Sequence, residues 1–295
     1  MAFIEDPKFL DTKVDRRSML RTVGLAGAGA GLMSLLGGCG GSDSNSGGGG
    51  GVSDADVLNF ALNLEYLEAE YYVRAISGEG LTAADTGANA GAVTGGKKVN
   101  FATPALMQYA SEIANDERNH VRFLRGALGG AAVDRPAINF TDAFNAAAKA
   151  AGIGDTFDPF ADEVSFMLGA FVFEDVGVTA YKGAARLISN KDYLEAAAGI
   201  LGVEAYHAGA VRTVLYGIGG AAVTNAQKIS DLRDNADGGS ESDQGISNGG
   251  VANIVPTDTN GIAFSRSTDQ VLSIVYLGGK GSGGFYPSGL NGTIR

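Results

Sequence analysis

Residues 53–220 of this 295-residue chain are predicted to fold as an all-α, antiparallel four-helix bundle, on three observations. Four stretches carry apolar residues at the three-and-four spacing of one helix face. Glycine-containing breaks separate those stretches where helices commonly stop. Glutamates, together with the only two histidines of the chain, recur on the apolar faces in an order that repeats once along the sequence.

The first helix shows Leu58, Ala61, Leu62, Glu65, Ala69, Tyr72 and Ile76 on one face, with Ser53 or Asp54 as N-cap and Gly78 as its stop. The polar stretch 81–100 reads as a long loop. Pro104 then suits the first turn of a second helix that reaches Leu128, before Gly129 and Gly130. A shorter helix over 141–151 lies in the crossover to the third long helix, 159–188, whose face carries Met167, Ala170, Phe171, Glu174, Val178 and Tyr181. Ser189 and Asn190 make a brief break, and the fourth helix spans 191–216, ahead of Gly217 and Gly219. Residues 221–295 read as an appendage, mostly loop with short helices. Within it 235–254 is loop, 266–277 helical and the end glycine-rich, with no chemistry legible.

The N-terminus is predicted to be a leader. Lys8, Lys13, Arg16, Arg17 and Arg21 precede an uncharged Gly/Ala/Leu run that ends at Cys39, the only cysteine, so no intramolecular disulfide can form. Arg16-Arg17 resembles the twin-arginine export motif, and Leu36-Gly37-Gly38-Cys39 resembles a bacterial lipobox. Residues 1–38 would then be a signal peptide, and 39–52 a lipidated Cys39 plus a Gly/Ser tether. The mature protein would be periplasmic and held at a membrane by its lipid. Removing the leader leaves a formal charge of −12, which disfavours nucleic acid and suits cations.

The chemistry rests on spacing. Both histidines lie three residues after a glutamate, in Glu117-Arg118-Asn119-His120 and Glu204-Ala205-Tyr206-His207, so each pair projects from one helix face into one small volume. The other two helices each supply a core-face glutamate followed seven residues later by a tyrosine, Glu65 with Tyr72 and Glu174 with Tyr181. A carboxylate among Phe171, Val172, Phe173 and Val178 is costly unless partnered. Glu68 flanks Glu65 and competes with it for the same role. Glu70 is expected to face solvent, Asp175 to be a solvated or loop-facing acid with an outer supporting role as the alternative, and Arg118 and Arg122 to neutralise surface acids. Phe166, Phe171 and Phe173 read as bundle packing, Tyr72 and Tyr181 as core hydroxyls bonded to carboxylates.

The order Glu, Glu-x-x-His, Glu, Glu-x-x-His over residues 54–217 resembles the ferritin-like di-iron and di-manganese carboxylate proteins. Wording such as VLNFALNLEYLEAEYY is similar to the bacterial and plant subgroup that includes desiccation-related proteins. The resemblance implies two iron or manganese ions held by Glu65, Glu117, His120, Glu174, Glu204 and His207, with Glu117 and Glu204 bridging. It also implies that Asp116 hydrogen-bonds His207, whereas Val203 at the matching place in the fourth helix leaves His120 without such support. Redox chemistry with dioxygen or peroxide is the implied activity, and a non-catalytic metal-binding or desiccation-protective envelope protein is the alternative. A homodimer is compatible with either.

Overall fold

Ser53 begins the first helix as expected: its hydroxyl accepts from the Asp56 amide while the Asp56 carboxylate accepts from the Ser53 amide. This helix, α1 (Asp54–Ser77), closes at Gly78, whose φ of 88° is left-handed and lets its amide reach Arg74 O. The computed structural model describes residues 51–239 and 242–295, so Arg16, Arg17 and Cys39 lie outside the described residues.

Inside the predicted loop are a single-turn helix, α2 (Ala83–Thr86), and a short strand, β1 (Val93–Thr94). β1 pairs in parallel with β2 (Ile138–Asn139), fastening this loop to the later crossover. Between them α3 (Pro104–Leu128) starts on its proline and stops at Gly129. Asn139 then caps α4 (Phe140–Ala150), and Asp162 caps α5 (Glu163–Ala185). Asn190 caps α6 (Lys191–Ile218) by accepting from two amides of its first turn. α1 packs chiefly on α3, and α5 on α6, giving two helix pairs that close on each other as the predicted all-α bundle.

Beyond the bundle helices the structure departs from the sequence reading. Gly219 and Gly220, both with positive φ, turn the chain directly into another helix, α7 (Gly220–Ala236), which packs on α5 and α6. A hairpin, β3 (Ser247–Asn248) with β4 (Val251–Ala252), and a helix, α8 (Thr268–Val275), complete the chain. The final residues return to α1: Tyr286 donates to Asn63 O at 2.7 Å, and Asn63 and Asn291 exchange side-chain-to-backbone bonds of 2.8 and 3.1 Å. α1 is therefore buried on nearly every side, not along one stripe.

That covering corrects two expectations. Glu70 is fully buried and bonds Arg74 on its own helix and Arg135 from the crossover. Asp175 is buried too, accepting from Arg212 at 2.7 Å and Arg233 at 2.9 Å. Arg233 also reaches Asp243 at 2.7 Å, and Arg266 reaches Asp243 at 2.9 Å and Asp237 at 2.7 Å. This connected network of buried acids and arginines ties α5 and α6 to α7 and the C-terminal loops. Charged groups stay inside only when each has such partners.

Candidate metal centre

The bundle brings all six predicted side chains to its middle. Four of the six, Glu65, Glu117, Glu174 and Glu204, are essentially without solvent exposure, and His120 and His207 are buried as well. Their atoms form two overlapping groups able to hold a cation: Glu65, Glu117, His120 and Glu204 in one, Glu117, Glu174 and His207 in the other. Glu117 belongs to both, whereas Glu204 joins only the His120 side. His120 Nδ1 lies 3.1 Å from Glu65, 3.6 Å from Glu204 and 3.7 Å from Glu117. His207 Nδ1 lies 3.0 Å from Glu117 and 3.7 Å from Glu174.

Both oxygens of Glu117 and Glu204, one of Glu174, and His207 Nδ1 are buried with no hydrogen-bond partner. The 3.0 Å approach of His207 Nδ1 to Glu117 is thus a convergence on a common point, without the alignment of a hydrogen bond. Leaving so many acceptors unmet in a core is costly, and a divalent cation bound by oxygen and imidazole would meet them. The residues present therefore fit two such ions.

Surrounding groups hold the six in place. Tyr72 donates to Glu174 and Tyr181 to Glu65, each across the bundle from one helix pair to the other. Asp116 sits 3.2 Å from His207 Nε2, which leaves Nδ1 turned toward the carboxylates. Val203, at the matching position of α6, offers no polar atom to His120. Glu68 is buried beside the cluster but belongs to neither group, whereas Glu65 belongs to the first. Glu68 lies across from Gly177, where a Cβ would collide with Glu204 Oε2 and come to 3.4 Å from Glu68 Oε1. Arg122 pairs with Asp85, a buried acid of α2, and Arg118 bonds Asn115.

Burial dominates the electrostatics. It raises Glu65 to about 7 and Glu174 to about 8 against the pull of the nearby histidines, and it raises Glu68 and Glu204 well above the carboxylate range. Burial acts on Glu117 in the same direction, but His120 and His207 together overcome it and bring the group down to about 2. Burial works against the protonated imidazoles, yet the facing carboxylates lift His120 to about 11 and His207 to about 9. The shifts run in opposite directions on facing carboxylates and imidazoles, Glu117 excepted from the rise of the other glutamates, the pattern expected where both share one small volume away from solvent.

A model of the ferritin-like domain family matches residues 53–217, the span that contains α1, α3, α5 and α6. The chain belongs to the ferritin-like family. It is 29% identical to the ferritin-like catalase Nec2 of Nesocodon mauritianus over 266 residues, covering 82% of this chain and 85% of that protein. It is 30% identical to the desiccation-related protein PCC13-62 of Craterostigma plantagineum over 244 residues, covering 75% of this chain and 76% of that protein. Both alignments are longer than the ferritin-like domain, so the similarity extends outside the bundle helices.

Proposed function

We propose that this ferritin-like chain holds a dinuclear iron or manganese centre and uses it for redox chemistry on peroxide or dioxygen. The observation that carries the proposal is the convergence of buried carboxylates from all four bundle helices in two adjoining groups, with oxygens of Glu117, Glu174 and Glu204 left without a hydrogen-bond partner. Glu65, His120 and Glu204 would hold one ion, Glu174 and His207 the other, with Glu117 between them. Two adjacent redox metals supply the electron exchange that carboxylates and imidazoles lack. The chain's own part is to fix the ligands: Asp116 orients the His207 ring, Tyr72 and Tyr181 hold a carboxylate each, and the apolar shell keeps bulk water out. The catalase among the relatives favours hydrogen peroxide as the species acted on.

The desiccation-related relative supports a second reading, a metal-binding protein of the envelope without turnover. Metal analysis of the purified protein beside Glu117→Gln and Glu174→Gln, followed by assays of hydrogen peroxide consumption and ferrous oxidation, separates the two. About two equivalents of iron or manganese, lost in the variants, with peroxide consumed, supports catalysis. Metal without turnover supports the second reading, and no metal after anaerobic reconstitution defeats both.

The proposal keeps export by the twin-arginine route and lipid attachment at Cys39, on the motifs around those residues. Replacing Arg16 and Arg17 by lysine should trap the protein in the cytoplasm, and Cys39→Ala should release it from membranes. Unchanged fractionation of either variant would refute the corresponding step.

A further inference from the structure

The two halves of the bundle correspond residue by residue. Glu65 matches Glu174, Glu117 matches Glu204 and His120 matches His207, each at the same place on its helix, and Tyr181 matches Tyr72. One turn away from the ligands the correspondence continues with Ala61 and Ala170, Leu124 and Val211, Ile200 and Ile113. If packing followed this symmetry, both ends of the site would be closed equally.

They are not. At the Tyr72 end Phe166 lies edge-on to Tyr72 with ring centres 5.5 Å apart and stacks on Tyr71 at 5.1 Å. Tyr72, Ala170 and Val211 there have no exposure at all. At the Tyr181 end the position matching Phe166 is Val57, and that matching Tyr71 is Ala180. The missing aromatic volume leaves a recess of about 20 Å³, walled by Val57, Ala61, Leu124, Ala197 and Ile200. Tyr181 also lines it, and its hydroxyl donates to Glu65 of the cluster. Phe123, 48% exposed, also borders the recess and brings it to the surface.

We propose that this recess is the route by which small uncharged oxygen species, dioxygen or hydrogen peroxide, reach the metal centre, and that the Tyr72 end is closed to them. The inference rests on the dinuclear reading given above. No charged side chain lines the recess among the described residues, so an anion would lose its hydration with nothing in return. Its size admits a molecule about as large as water, for which roughly 10–15 Å³ of such space is enough. Tyr181 both lines this space and donates to Glu65, which sets the route against the ligand shell.

The test is Val57→Phe, which copies the aromatic residue already accepted at the equivalent place, together with Ala197→Leu as a second way of filling the recess. Ala236→Leu, in a separate apolar cavity beside Phe144 and Ile274, is the control for a general effect of added volume. Crystals of metal-free and metal-loaded protein under xenon should show the gas against Tyr181, and both filled variants should lose it. With metal content equal, reoxidation of the reduced centre by dioxygen and consumption of hydrogen peroxide should slow at least about tenfold in the filled variants and not in the control. A fall with only one oxidant still supports the route and identifies which species uses it. Absence of xenon from the recess, or wild-type rates in both filled, fully metallated variants, would overturn the route. Absence of metal from all proteins would instead defeat the dinuclear reading, while the xenon result on metal-free crystals still decides whether the recess admits a small apolar molecule.

Discussion

Arg233→Met removes a guanidinium that is 1% exposed while keeping much of its apolar stem. The wild-type group bonds Asp175 at 2.9 Å, Asp243 at 2.7 Å and the Phe171 carbonyl, and lies 4.4 Å from the centre of the Phe171 ring. Asp175 keeps Arg212, and Asp243 keeps Arg266 and Ser230, so neither acid is wholly orphaned. The network nevertheless loses one positive charge from among buried acids. Breaking buried pairs of this kind costs about 3–5 kcal/mol, a large share of the roughly 5–15 kcal/mol that holds an ordinary domain together. The reference is Lys97→Ala, which removes a 2.7 Å pair with Asp158 whose side chains are 60% and 51% exposed. That pair should contribute less than about 1 kcal/mol. Urea unfolding of both variants at pH 7, with the wild type alongside, measures the difference. Equal losses for the buried and exposed pairs would refute the reasoning that this network clamps the C-terminal region to α5 and α6.

Other expectations follow from single contacts. Gly177→Ala should lower metal stoichiometry more than overall stability, because the new methyl group meets Glu204 Oε2 and Glu68; metal analysis and thermal melting of the same preparations check this. Asp116→Ala should weaken metal affinity by about 10–100-fold through loss of the partner of His207, read by competition with a chelator. Asp234 is raised from 3.8 to about 6, first by burial and then by Asp243 and Asp237. Its folded form holds the proton more tightly, so the stability tied to that proton is complete below pH 3.8 and lost as pH rises through 6. Asp234→Asn should therefore stabilise the protein at pH 7.5, by less than about 1 kcal/mol because the group is partly exposed, and lose that gain near pH 4. Melting curves at both pH values are the measurement, and a gain that is the same at both would show another cause.

Much of the bundle was legible because its boundaries are local. Ser53, Gly78, Pro104 and Asn190 act on amides and carbonyls within a turn of themselves, and the Glu-x-x-His pairs need only helical spacing to point inward. Asp116 beside His207 was legible through the family resemblance. The misread acids depend on distant partners: Glu70 is enclosed by Arg135, and Asp175 by Arg212 and Arg233, none of which local periodicity identifies. α7 was missed for a related reason. Its inward positions include Ser230 and Arg233 among Ala222, Ala226 and Ile229, so polar residues interrupt the apolar stripe that marks a helix. The difference between the two ends of the site was hidden in two pairs, Val57 with Phe166 and Ala180 with Tyr71, whose meaning depends on what each residue packs against.

The bond between Asn63 and Asn291 bears on when the protein can become itself. α1 is among the first elements of the bundle to be synthesised, yet its inner asparagine is matched by a residue 228 positions later in the chain. Until Tyr286 and Asn291 have been made, Asn63 has no such partners and this face of α1 stays uncovered. The native enclosure of α1 therefore waits on contacts of very long sequence separation, and losing Asn291 would show itself as a defect in the opening helix of the bundle.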